Sequence, residues 1–311
     1  MNKKDFGKIV RSLRDHTYLP GSNSSMTQEE LSKETADIVD VTGEKIGKFT
    51  VPFISKMENG RLAKILYYEV SAIAKALRLT NLERKELHFA ASQITDQEDL
   101  SMKQGEANNI LNETCEAIEK IRVPAYILDV YGNVVAANGQ IVNLYNLTDV
   151  LKAAADSDSI IRYHYLNIFL SDDFTKAFKT DSSLESIAPD YKIRTNIQFF
   201  NRISLRYKYK EKYKIIFEEL SKNELFNYYW YACCKSKTDV DSNYIFYNYN
   251  NPYYGLLRYY AFDVAVNTNH EELYMVIYTP ADKNTSDAFT KIAETSNGLH
   301  RLSKWPMPEP K

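Results

Sequence analysis

The run TVPFISKMENGRLAK, residues 50–64, and the residues leading into it concentrate the chain's usable chemistry. From Lys45 to Lys64 stand five cations, Lys45, Lys48, Lys56, Arg61 and Lys64, against Glu58, with Glu44 just outside. Cations interleaved with hydroxyl and amide side chains neutralise phosphates and read base edges. The net charge of the whole chain is −2, so a nucleic-acid contact has to come from a local patch of this kind.

Catalytic groups are sparse by comparison. His16, His88, His164, His270 and His300 are scattered without metal-ligand spacing, and no glycine-rich phosphate loop is present, YGN and NGQ reading as turns. Cys115, Cys233 and Cys234 form no metal spacing and are too few for a disulfide framework, which fits a reducing cytosol. Cys233 and Cys234 read as small hydrophobes beside a helix end, and Asp172-Asp173 as a helix cap rather than an acid pair. The run RYKYKEKYK, with Leu205, Tyr209, Ile216 and Leu220 at helical intervals, reads as an amphipathic helix with a solvated cationic face. No enzyme activity, cofactor or metal is expected.

The elements that must position these groups follow from periodicity and caps. Residues 5–18 carry Phe6, Ile9, Val10 and Leu13 at helical spacing. Thr27 with Glu30 forms a capping box, Thr50 caps a second short helix with Pro52 in its first turn, and Gly60 suits its end. Two further helices follow, YYEVSAIAKALRL and NLERKELHFAAS, the latter read as capped by Asn81. That makes five short helices in residues 1–92. A polar linker and a connecting helix, with Leu111, Cys115 and Ile118 on one face, span 93–119. AYILDVYGNVVAAN reads as a hairpin around Tyr131-Gly132-Asn133. Helical segments run on to about Leu225, and SNYIFYNY, LRYYAFDVAV and LYMVIYTP alternate as strands. Residues 285–311 read as a surface helix and a frayed tail. The N-terminus is charged from the start and no run approaches the roughly 18 apolar residues of a membrane helix, so a cytoplasmic protein without membrane insertion is expected.

Thr-Gln-Glu-Glu-Leu followed by Ile-Ser-Lys-Met-Glu-Asn-Gly-Arg resembles the second and third helices of the Xre/Cro-repressor family of helix-turn-helix proteins. The usual turn between those helices is three or four residues; here about a dozen more intervene. Carried over by position, the resemblance implies DNA contacts from Gln28, Thr50, Pro52, Ser55, Lys56, Asn59 and Arg61, with Thr27 and Lys64 on phosphate. It makes Ile54 core and Glu58 a structural tie, and leaves Phe53 facing either a thymine methyl or the longer turn. Residues 120–284 resemble the MmyB-like ligand-binding domain. The residues that carry this are VPAYILDVYGNVVAAN, YLNIFLSDDF, ELFNYYW, the glycine of YYGLLRYY and MVIYTPAD. That family implies a PAS-like antiparallel sheet covered by helices around an apolar pocket, with a long-chain fatty acid as one member type's ligand.

The expected fold is therefore multidomain: an all-α helix-turn-helix domain (1–92), then an α+β PAS-like domain with an antiparallel sheet (120–284). The expected function is a DNA-binding transcriptional regulator, homodimeric on double-stranded operator DNA, whose second domain senses a small apolar, fatty-acid-like ligand. Tyr126, Leu166, Phe169, Phe226, Trp230 and Phe262 are candidates for the pocket, and His164, Arg202 and Arg258 for a ligand carboxylate. Two alternatives stand beside it: a C-terminal part that serves dimerisation or protein interaction alone, and a lipid-processing enzyme. The linker placement also predicts that residues 1–92 fold without the rest.

Overall fold

The computed structural model describes residues 1–19, 24–39, 45, 49–94, 104–171, 189–235, 244–266, 271–296 and 298–308. The architecture is α+β, with thirteen α-helices and one six-stranded antiparallel sheet among the described residues. The chain forms two compact units. The first comprises Met1–Leu100, Asn201–Lys214 and Tyr228–Asp241; the second comprises Ser101–Phe200, Ile215–Asn227 and Ser242–Lys311.

The first unit opens with α1 (Lys3–Asp15), α2 (Gln28–Thr35), α3 (Val51–Glu58), α4 (Tyr67–Ala76) and α5 (Asn81–Ser92). Their ends follow local chemistry. The Thr27 hydroxyl accepts from Glu30 N at 3.1 Å and the Glu30 carboxylate from Thr27 N at 2.7 Å. Thr50 caps α3, with Pro52 in the first turn where a missing N–H is harmless. The cap of α5 is Thr80 rather than Asn81, which is the first helical residue; Thr80 forms the capping box with Glu83. Phe6, Ile9, Val10, Leu31, Ile54, Met57, Val70, Ile73 and Leu87 share one core. Two glycines set how closely α1 meets α3. A Cβ on Gly7 would lie 2.5 Å from the backbone oxygens of Met57 and Glu58, and one on Gly60, at φ +66, would lie 2.5 Å from Lys4 Cα.

Fifteen residues, 36–50, separate α2 from α3. Their two ends are tied together. Phe49 N donates to the Thr35 hydroxyl at 3.1 Å and the Ser32 hydroxyl donates to Phe49 O at 2.6 Å. Val39 and Lys45 form an antiparallel bridge within the excursion. Lengthening a loop whose ends are already pinned is cheap, about 0.6 kcal/mol per doubling.

The segment read as a continuous amphipathic helix is broken. Leu205–Tyr207 is one 3₁₀ turn, and a new helix starts at Glu211. Lys210 and Lys214 are exposed, but the other cations of the run are not solvated: Arg206 is buried, pairs with Glu86 at 3.3 Å and lies over the Phe89 ring at 4.9 Å, and Lys212 is buried too. Lys208 is buried and donates to Asn201, which in turn donates to Glu83. Leu205 joins the core of α1–α5. The helical unit is thus discontinuous in sequence, and residues 1–92 lack part of its core.

The second unit is built on the sheet β3-β4-β5-β1-β2-β6. The strands are β1 (Ala125–Asp129), β2 (Val134–Asn138), β3 (Tyr244–Asn251), β4 (Gly255–Val266), β5 (Leu273–Pro280) and β6 (Leu299–Arg301). The hairpin joining β1 to β2 turns at Gly132, φ +85; Asp129 Oδ1 accepts the N–H of Tyr131 at 2.9 Å and of Asn133 at 2.8 Å. Helix α6 (Gln104–Lys120) sets Cys115 and Ile118 into the core formed with Ile127, Val135 and Ala136. Asn138 uses its whole carboxamide: Oδ1 accepts from Ala125 N and Ile141 N, and Nδ2 donates to Ile118 O and Val123 O. The remaining helices are α7 (Gly139–Leu144), α8 (Thr148–Ala155), α9 (Tyr165–Phe169), α10 (Pro189–Ile203), α11 (Glu211–Leu220), α12 (Glu224–Lys235) and α13 (Lys283–Thr295).

Residues 285–296 and 298–308 are not a tail beside the domain. In α13, capped by Asp282, Ala288, Phe289 and Ile292 are buried; β6 pairs with β2, and Trp305 is buried. Asp172 and Asp173 lie outside the described residues, as do Lys48 and His270. Among the described residues no helix is long and apolar enough to cross a membrane.

Candidate nucleic-acid interface and ligand pocket

Helix α3 divides into two faces. Ile54, Met57 and Glu58 are buried, while Pro52, Lys56 and Asn59 are exposed and Ser55 is half-buried. The 52, 55, 56, 59 spacing puts these on one side of the helix. Arg61 and Lys64, both exposed, follow at its exit. The helix's one acid is withdrawn from that side. Glu58 Oε1 accepts from Arg14 Nε at 2.7 Å, and Oε2 accepts from Arg14 Nη2 at 3.2 Å and from Gln28 Nε2 at 2.7 Å; Arg11 Nε lies 3.7 Å away. Arg14 Nη1 also donates to Met26 O at 2.8 Å. One buried carboxylate thus ties α1, the start of α2 and α3 together and leaves an outer face of cations and neutral polar groups.

Several sequence candidates have internal duties there. One N–H of the Gln28 carboxamide is given to Glu58. Asn59 Nδ2 donates to Ser55 O at 2.7 Å, closing the end of α3. Thr27 and Thr50 are exposed and their oxygens cap helices, which leaves each hydroxyl hydrogen to donate outward. Phe53 packs on Phe49, ring centroids 4.8 Å apart, so it faces the longer turn.

In the second unit, one sheet face carries a cluster of tyrosines. The rings of Tyr259 and Tyr278 stack at 4.8 Å and those of Tyr247 and Tyr259 at 5.4 Å, while Tyr145 from the end of α7 meets Tyr249 edge-on at 5.1 Å. The Tyr145 hydroxyl hydrogen-bonds to that of Tyr259 and, at 3.2 Å, to that of Tyr278. Tyr247 and Asn196 hydrogen-bond through both atoms of the carboxamide, at 3.0 and 3.1 Å, and the Tyr165 hydroxyl donates to Asn196 O at 2.6 Å. Beside this network lies a partly open cavity of about 70 Å³. Tyr126, Tyr145, Tyr165, Tyr247, Tyr278 and Asn196 line it together with Val134, Ala137, Ile141, Ile168 and Phe169. Burial pushes the hydroxyls of Tyr126, Tyr145, Tyr247, Tyr259 and Tyr278 above the ordinary phenol range, so they stay neutral.

No protein-family model matches the chain, and no curated protein is detectably similar to it.

Of the nine ligand candidates, Tyr126 and Phe169 line this cavity. Leu166 and Phe226 are core side chains, Phe226 edge-on to Phe217 at 5.7 Å. The His164 ring is fully buried against Gly132 and stacked on Tyr165; burial lowers its pKa to about 3, so it is neutral and carries no charge for a carboxylate. Arg202 belongs to the helical unit, as does Trp230, over whose ring Lys208 Nζ sits at 5.5 Å. Arg258 is exposed beside Asp282 at 3.5 Å, and Phe262 shares its outward parity on β4 while Tyr259 and Ala261 point inward. Sequence reasoning missed Tyr145, Tyr165, Asn196, Tyr247 and Tyr278. For Tyr247 and Tyr278 the signal was the strand alternation itself; for Asn196, on α10, no local signal existed. Among the described residues no group of three His, Cys, Asp or Glu could hold a metal ion.

Proposed function

We propose that the chain is a DNA-binding transcriptional regulator of the helix-turn-helix type, acting as a homodimer, with a PAS-like C-terminal unit that senses a small ligand. The observation that carries the reading is the face of α3. Lys56, Arg61 and Lys64 stand exposed with neutral polar neighbours, and the helix's acid is buried in the Arg14–Gln28 cluster. A short helix so supported suits a major groove, and one such helix reads too few base pairs for useful specificity, which favours a dimer. Support for the PAS-like reading comes from the antiparallel sheet, entered by a hairpin, followed by helices and closed by a strand meander around a cavity.

The test is selection of duplexes from a random pool by the full chain, then anisotropy titration of the selected duplex at two salt concentrations. Binding that weakens steeply with salt and is lost in a Lys56→Ala, Arg61→Ala double variant supports the reading; no selected sequence, or unchanged affinity of the variant, refutes it. A second reading, a C-terminal unit that serves association alone, is favoured by the outward strip of Tyr244, Phe262 and Val264 on β3 and β4, each exposed by more than a third. Sedimentation of a Phe262→Lys variant tests that strip.

A further inference from the structure

We infer that the tyrosine pocket of the second unit selects a small uncharged molecule bearing a hydroxyl or amide, of the phenol class, and excludes long-chain acids. This rests on the sensory reading of that unit and narrows it. Three observations converge. The first is size: about 70 Å³ is roughly half of a cavity that admits benzene. A polar head and the leading edge of a ring fit, with the rest at the open side; most of an acyl chain of a dozen carbons would lie outside the cavity and gain little from it. The second is charge: among the described residues no arginine, lysine, histidine or carboxylate lines the cavity. Lys192, buried one turn before Asn196, is engaged elsewhere: it donates to Asn248 O, and burial lowers its pKa to about 8. A carboxylate would enter without a counter-charge, which is strongly unfavourable.

The third observation is the arrangement of donors. The hydroxyls of Tyr145 and Tyr278 and the Tyr247–Asn196 pair put neutral groups that both give and accept hydrogen bonds at the cavity. The tyrosine faces and edges around them match an aromatic ring. A hydroxyl ligand can join either pair by rotating hydroxyl hydrogens, with no change in charge.

The experiment is thermal shift and calorimetric titration of the full chain with phenol, benzoate and decanoate. Phenol is expected to raise the melting temperature in a concentration-dependent way, and benzoate and decanoate to bind at least ten-fold more weakly. Tyr145→Phe keeps the ring and removes the shared hydroxyl; it should weaken phenol about five-fold, the worth of one neutral hydrogen bond. Ala137→Leu fills the cavity and should abolish binding; should it fail to fold, Tyr145→Phe still decides. Decanoate binding tighter than phenol overturns the ligand class and leaves a sensor in place. No binding by any probe overturns the pocket assignment, while the DNA titration, which needs no ligand, judges the regulator reading separately.

Discussion

Glu58→Gln changes charge at almost constant volume, and its effect can be worked from four distances. The native carboxylate takes three donors, from Arg14 Nε, Arg14 Nη2 and Gln28 Nε2, at 2.7, 3.2 and 2.7 Å. A carboxamide has one acceptor oxygen and an NH₂. In either orientation its N–H groups meet donors, so at least one Arg14 bond is lost. The guanidinium, 11% exposed, then keeps the Met26 carbonyl at 2.8 Å and, as counter-charge, the Asp15 carboxylate at 2.9 Å, itself half-exposed. Breaking a buried pair by removing one charge costs about 3–5 kcal/mol, and the retained packing puts this case near 3. For a domain of roughly a hundred residues that is about 10–20 °C in melting temperature. Guanidinium unfolding of the full chain, with hydrogen exchange of α1 and α3 amides to assign the transition, reads it. An Arg14→Met, Glu58→Met double variant should recover most of the loss, since replacing both partners by apolar groups removes the stranded charge. A single-variant loss below about 1 kcal/mol, the value of a surface pair, would refute the claim that this carboxylate holds α1, α2 and α3 together.

Three other perturbations follow from the same geometry. Lys56→Ala or Arg61→Ala alone should weaken duplex binding by about 1–3 kcal/mol for a base contact, or flatten the salt dependence by about one phosphate's worth; competition titrations against unrelated duplexes separate the two. Gly7→Ala sets a helix-propensity gain of about 1 kcal/mol against overpacking of about 1–3 kcal/mol on the backbone oxygens of Met57 and Glu58. A net loss of stability is expected, and a variant more stable than wild type would show that α1 and α3 can move apart. Burial, opposed by hydrogen bonds from Asn133 and Tyr131, pushes the Asp129 carboxyl from 3.8 up to about 7. The folded form therefore holds the proton more tightly than the unfolded one, so the stability it contributes is present below pH 4 and fades as pH rises through 7. Melting at pH 5, 6, 7 and 8 should show wild type losing stability relative to Asp129→Asn, and parallel curves would contradict it.

Elements with local chemistry were legible in the sequence. Thr27 with Glu30, Thr50 with Pro52, and the Tyr131-Gly132-Asn133 turn each specify their geometry within four residues. The period-2 tyrosines marked strands but not which face would be covered, because that depends on where α6, α10 and α13 lie. Arg258 and Phe262 were assigned inward although their strand parity opposes Tyr259. Arg206 and Lys208 looked solvated because their partners, Glu86 through its carboxylate and Asn201 through Glu83, include groups more than a hundred positions away. The three residues of β6 are too short to carry a pattern, and the polar composition of 285–311 masked Ala288, Phe289 and Ile292.

The split composition of the helical unit has a consequence for the order in which the protein is made. Helices α1–α5 are complete in the nascent chain by Ser92, yet Leu205 and Arg206, which close their core and answer Glu86, come more than a hundred residues later. At roughly 5–20 residues per second, that gap lasts on the order of ten seconds. Through it the five helices carry an open apolar side and an unanswered carboxylate, a natural seat for a chaperone. A chain cut short by a premature stop in the linker would hold the whole cationic α3 face and still never finish the unit that carries it.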